Sequence, residues 1–164
     1  MEDDLLFDTH CHIDFLYTRR LGRKLAGQSY SRLVAEFPAL HSVRLHGFIT
    51  NFCDPACWPR EAPPALLCSA WADGVNCFYT LGCHPHYAPA MLEPGAADRL
   101  ERLLVQGRGR GCVAVGECGL DLSRNSRVPL AVQQEAFTIQ IQIALRLHLP
   151  LGRLNFSISG GSIY

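Results

Sequence analysis

Two histidines one residue apart, His10 and His12, close an apolar run in LLFDTHCHID, with Asp8 and Asp14 on either side. Residues two apart on a strand face the same way, so both imidazoles can offer a nitrogen to one point while Cys11 turns aside. Neutral imidazole suits zinc-, manganese- and iron-type ions, and carboxylate adds affinity for harder cations. Glu117, in GCVAVGECGLD, arrives from the end of another apolar run and is the natural acid to complete or bridge a site. Two ions roughly 3.5–4 Å apart can share such a carboxylate, clamp a phosphate and generate hydroxide. Taken alone, an HxH pair is more simply two hydrogen-bonded polar residues; Glu117 at a matching strand end shifts the reading to metal binding.

Other polar clusters have a less definite assignment. His84-Pro85-His86 can supply donors to a substrate phosphate or form a solvated turn, because the proline breaks simple alternation. Asp54 precedes Pro55 and reads as readily as the start of a turn as it does as a site residue. Basic residues gather at Arg19, Arg20, Arg23 and Lys24, and again at Arg108 and Arg110; each group is either a phosphate contact or a solvated face. Gly82, Gly116 and Gly119 are too scattered for a phosphate loop.

Four segments must position these groups: LLFDTHCHID, VRLHGFITNFCDP from Val43, NCFYTLGCHPH from Asn76 and GCVAVGECGLD from Gly111. Each is a short apolar run of the length expected for a strand buried on both faces, followed by a polar cluster. Helical candidates lie between them. SRLVAEFPAL is one, and GAADRLERLLVQ is better, with Leu100, Leu103 and Leu104 as its stripe. EAPPALLCSA is the weakest, since Pro63 and Pro64 suit only a first turn. LAVQQEAFTIQIQIALRLHLP is the strongest, with Phe137, Ile141, Ala144 and Leu145 at helical spacing and Pro150 ending it. The order is βα four times over, which predicts an α/β fold with parallel strands and the polar clusters at one mouth.

The 164 residues suffice for one domain, and Lys plus Arg balance Asp plus Glu, so net charge gives no argument for nucleic acid or membrane. No run approaches the roughly 20 apolar residues of a membrane span. The acidic start MEDDLLFDTH lacks a cationic signal region, which predicts an intracellular protein, nuclear or cytoplasmic and not secreted. The eight cysteines contain no CxxC pair and read as reduced, mostly buried thiols.

DTHCHID, GCHPHYA, GECGLD and the spacing of Gln133, Phe137 and Gln140 resemble the TatD family of metal-dependent nucleases, and most closely an animal branch of it. The resemblance runs from about Leu5 to Leu151. It implies a (β/α)8 TIM-type barrel and divalent-metal-dependent hydrolysis of DNA or RNA phosphodiesters, exonuclease-like, with two divalent ions (Mg, Mn or Zn). It implies that His10 and His12 ligate one ion, that Glu117 bridges two and is catalytic, that His84 and His86 bind substrate phosphate, and that Asp121 supports the motif.

After LPL the family continues into a ligand histidine and arginine, then a further ligand histidine and a TDxP aspartate. Here the chain reads GRLNFSISGGSIY. Against a barrel of roughly 250 residues, the expectation is a truncated, partial barrel. Residues 1–151 would be its N-terminal half and 152–164 a divergent tail. Such a chain should hold at most one ion, weakly, have little activity alone, and self-associate through exposed strand edges. The alternatives are a non-catalytic chain that pairs with a partner or binds nucleic acid without cutting, and another HxH hydrolase acting on amides or bases.

Overall fold

The structure, a computed structural model, describes residues 6–22, 29–37, 45–64, 67, 74–123 and 126–153. Leu5, Arg23, Lys24, Val43, Cys68 and the segment from residue 154 onward lie outside the described residues. Five strands form the sheet: β1 (Leu6–Cys11), β2 (Leu45–Phe52), β3 (Asn76–Leu81), β4 (Cys112–Cys118) and β5 (Leu151–Arg153). They pair in parallel in the order β1-β2-β3-β4-β5. An order that never reverses keeps successive right-handed crossovers on one side, so the sheet curls as a barrel does and does not wind both ways. The result is a half-barrel with helices outside and a concave polar face within.

The apolar runs become strands for the expected reason: β2, β3 and β4 are buried along most of their length, whereas β1 is largely exposed. Around them stand α1 (Ile13–Phe15), which runs into a π-helical turn at Leu16–Arg20, α2 (Tyr30–Glu36), α3 (Ala88–Met91), α4 (Ala96–Gly107) and α5 (Leu130–Leu147). Ser29 caps α2 by accepting from the Arg32 N–H, and the helix stops where Pro38 follows Phe37. In α4 the expected stripe of Leu100, Leu103 and Leu104 is fully buried. Of EAPPALLCSA, Leu67 is buried, and Pro63 and Pro64 lie in an irregular stretch before it.

Two sequence expectations change. The segment after Leu151 does not leave the fold at once: Gly152 and Arg153 continue β5, opposite Gly116 and Cys118. Steric space explains it, since a Cβ added at Gly116 would lie 2.6 Å from the Gly152 carbonyl oxygen, and one added at Gly82 would lie 2.6 Å from Gly116 C. The glycines scattered in sequence thus form a row across β3, β4 and β5, where backbones approach closely.

The second change concerns α5. Its buried face is Gln133, Ala136, Gln140, Ile143 and Ala144, while Leu145 is 68 % exposed. The apolar spacing misled because two buried residues of the inner face are amides. Gln140 accepts from the Cys83 N–H at 2.7 Å and donates to the Cys83 carbonyl at 3.1 Å. Gln133 does the same for Asp121, at 2.7 and 3.2 Å, and also donates to the Val128 carbonyl. Seven residues is two helical turns, so one helix face holds the loops after both β3 and β4. Gln140→Leu would leave the buried N–H and C=O of Cys83 unpaired. Urea denaturation should show the variant less stable by about 2–4 kcal/mol.

Candidate metal centre at the mouth of the half-barrel

β1 brings His10 to its end, and His12 follows where the strand stops. His10 Nε2 and His12 Nε2 are 3.2 Å apart. The Glu117 carboxylate, from β4, turns one oxygen to each: Oε1 is 3.9 Å from His10 Nε2 and Oε2 is 3.7 Å from His12 Nε2. Among the described residues this is the one group of His, Cys, Asp or Glu whose ligand atoms all lie within 4.8 Å of one another.

The chemistry of these atoms fits a divalent cation. His12 Nδ1 is 3.1 Å from the Asn51 carbonyl oxygen. That oxygen only accepts, so Nδ1 carries the proton and Nε2 offers its lone pair to the cluster. Burial also holds His12 below the ordinary imidazole value, favouring the neutral ring. Donors around an ion at roughly 2.1 Å stand about 3.0–3.4 Å apart. The separations of 3.2, 3.7 and 3.9 Å approach that closely enough for small rotamer changes to close the site.

Beneath the cluster lies a polar layer that sequence reasoning missed. Asn51, nearly buried, donates to the Cys11 carbonyl and accepts from Thr80 Oγ1 at 2.7 Å, tying β1, β2 and β3 together under His12. The signal was present as polar residues inside FITNF, a strand otherwise buried on both faces. Asp14, grouped with the histidines in sequence, separates from them. The strand ends before α1, so alternation fails and Asp14 is fully buried, its carboxyl pushed up to about 7 by desolvation.

The other polar groups ring the mouth. Pro85–Tyr87 is a 3-10 turn capped by His84, whose Nδ1 accepts from the His86 N–H. His84 Nε2 therefore carries the ring proton, and burial pushes the group down to about 4, with His86 adding to the effect. His86 Nε2 meets Asp121 Oδ2 at 2.6 Å. Hydrogen bonds from Ser123 and His86 hold Asp121 below the usual carboxylate range. Asp54 takes the turn role: its Oδ1 accepts from the Ala56 N–H and caps Pro55–Cys57. Arg108 and Arg110 precede β4, at the sheet end away from the mouth, whereas Arg19 and Arg20 follow β1 at the mouth.

The family model described as TatD related DNase matches residues 7–152, which reach into all five strands and include each of these clusters. The chain belongs to the TatD family. This TatD chain is 31 % identical over 150 residues to the human 3'-5' RNA nuclease TATDN2, covering 88 % of the chain and 17 % of that protein. It is 47 % identical over 92 residues to the 3'-5' ssDNA/RNA exonuclease TatD of Edwardsiella piscicida, covering 56 % of the chain and 33 % of the relative. The chain thus spans a third or less of the length of these relatives. In fold it is similar to an uncharacterized amidohydrolase from Saccharomyces cerevisiae, with a TM-score of 0.54 and 18 % identity, over 85 % of this chain and 44 % of that one.

The described cysteines of the TatD chain are mostly core residues. None of Cys11, Cys53, Cys57, Cys77, Cys83, Cys112 and Cys118 is in a disulfide, and burial raises every one of these thiols. No helix among the described residues is long and apolar enough to cross a membrane.

The depressed His84 makes stability sensitive to acid. Between the ordinary value of 6.5 and about 4, the unfolded chain binds a proton that the folded ring refuses. This stability is complete above about pH 6.5 and is lost as pH falls toward 4. His84→Asn keeps an acceptor for the turn and removes the titration. Unfolding measured at pH 7 and pH 4.5 should show the wild type losing on the order of 1–2 kcal/mol more than the variant, allowing for partial exposure.

Proposed function

We propose that the site performs divalent-metal-dependent phosphodiester hydrolysis on a single-stranded nucleic acid, from its 3' end. The observation that carries the reading is the His10–His12–Glu117 cluster, three ligand atoms within 4.8 Å at the mouth of a half-barrel. The names of the human and bacterial relatives, 3'-5' nucleases of RNA and of single-stranded DNA or RNA, support the substrate class and the polarity.

In this reading His10 Nε2, His12 Nε2 and the Glu117 carboxylate would hold the divalent metal. Magnesium, manganese and zinc all suit a mixed imidazole and carboxylate set to differing degrees. When bound, such an ion supplies Lewis acidity toward a phosphoryl oxygen. The chain's own residues do the rest. Asn51 holds the His12 ring in one orientation and one tautomer. His84, neutral at physiological pH, presents Nε2–H as a donor to a phosphate oxygen. His86, paired with Asp121, stands beside it as a second phosphate contact.

We propose that residues 1–151 act as the N-terminal half of a TatD barrel, so that the three ligands described are part of a larger set. Cleavage by this chain alone is then slow. A second reading, pairing with another strand-bearing chain, draws on β1 and β5, the outer strands of the sheet among the described residues: Leu6 is 53 % and Phe7 37 % exposed on β1, and Leu151 39 % on β5. One experiment addresses both. A 5'-labelled single strand of DNA or RNA, incubated with manganese, should shorten stepwise from its 3' end and stop on chelation. Glu117→Gln should lower the rate by about 100-fold or more. Light scattering on the same sample gives the mass of the cutting species, against 18.2 kDa for one chain. A wild-type rate unchanged by Glu117→Gln contradicts the reading.

A further inference from the structure

Arg19 differs from the other well-placed arginines. Arg146 is paired with Glu101, and Arg99 is spent on the carbonyls of Pro55 and Trp58. Among the described residues no carboxylate lies within ion-pair distance of Arg19, and its side chain is exposed. It is nonetheless held in place. Its guanidinium lies 3.9 Å from the centre of the Phe15 ring, and its Nη2 donates to the Tyr87 hydroxyl.

These contacts join the two halves of the mouth. Phe15 stacks on His12 with ring centres 4.9 Å apart and planes within 13°, so Arg19 is separated from a candidate metal ligand by one aromatic ring. On the other side Tyr87 belongs to the turn that carries His84 and His86, and its ring stands 6.2 Å from that of His84. Through Phe15 and Tyr87 the guanidinium therefore links the side of the mouth that carries the metal cluster to the side that carries the proposed phosphate donors. Next to it a recess of about 400 Å³ is lined by Cys11, His12, Phe15, Leu16, Arg19 and Arg20. Its apolar walls and two cations suit a ligand with a flat ring at one end and a phosphate at the other.

We propose that Arg19, seated on Phe15 and Tyr87, anchors the polynucleotide phosphate next to the one being cleaved, with that nucleotide's base in the recess beside it. The assignment rests on the nucleic-acid reading above and deepens it. A guanidinium has five N–H donors in a fixed fork, and the Tyr87 hydroxyl occupies one Nη2 donor. The rest can grip a phosphate, while the contacts with Phe15 and Tyr87 reduce the entropy lost in doing so. Such a subsite favours a strand over a mononucleotide, because only a strand has a second phosphate to place there.

The test is binding of a dye-labelled ten-nucleotide single strand to the full chain, by fluorescence anisotropy in calcium buffer over a range of salt. Arg19→Gln should weaken binding about tenfold and reduce the slope of log Kd against log salt by about one. Arg19→Lys keeps the charge and should keep the slope while losing part of the affinity. Tyr87→Phe should weaken binding less than Arg19→Gln with the slope unchanged, and Arg110→Gln, at the far end of the sheet, should match wild type. Equal affinity and slope for wild type and Arg19→Gln overturns the subsite, and so does an equal loss in Arg110→Gln. If the wild type cleaves the strand and Arg19→Gln leaves KM unchanged, the subsite falls and the nuclease reading stands. If folded wild type binds no single strand, both fall.

Discussion

The curl of the sheet is the constraint on which the site depends. β1 and β4 are separated by two strands. In a flat sheet three strand spacings would hold them about 14 Å apart, with side chains standing parallel. Here Glu117 comes within 3.7 Å of His12 and 3.9 Å of His10. Only a concave face focuses residues from non-neighbouring strands on one point. The curl goes with close backbone approach: Gly82 and Gly116 leave no room for a Cβ where β3, β4 and β5 meet beside the site. Residues that bear no chemistry thus decide where the chemistry stands.

Curvature brings the groups together, and buried amides keep them there. Gln133 and Gln140 reach from one face of α5 to the backbone at Asp121 and Cys83, so the loops carrying Asp121 and His84 are held by the same rigid helix. The Asn51 amide likewise holds the Cys11 carbonyl next to His12, while the Asn51 backbone carbonyl accepts from the His12 ring. Each of these amides is buried with its polar atoms partnered, the condition under which a buried polar group specifies geometry without a desolvation penalty left open. Orientation is therefore set before any ligand arrives, as the proposed phosphoryl chemistry requires.

The sequence was most legible where periodicity and chemistry agreed. Apolar runs ending in polar clusters marked four strands and the end of the sheet at which they would open, and HxH with Glu117 marked residues that the fold brings within a few ångströms. It was least legible where a polar residue does a core residue's work. Gln133 and Gln140 occupy the inner face of α5, so an apolar stripe drawn through Leu145 selected a residue that is exposed. Asp14 stood beside the histidines in sequence, but it lies three residues past the end of β1, in α1, and is fully buried. Gly152 looked like a break when it pairs with Gly116, whose missing Cβ leaves space for the Gly152 carbonyl. Arg19 could not be separated from Arg20 or Arg108 by charge alone; its contacts with Phe15 and Tyr87 distinguish it.

The most direct test of the account is where a metal ion binds. An anomalous difference map from a crystal grown with manganese should show a peak within roughly 2.0–2.3 Å of His10 Nε2, His12 Nε2 and a Glu117 oxygen, with His12 Nδ1 still on the Asn51 carbonyl. A map with no peak among these three side chains, with manganese at full concentration and the two imidazoles still paired to each other, would contradict it.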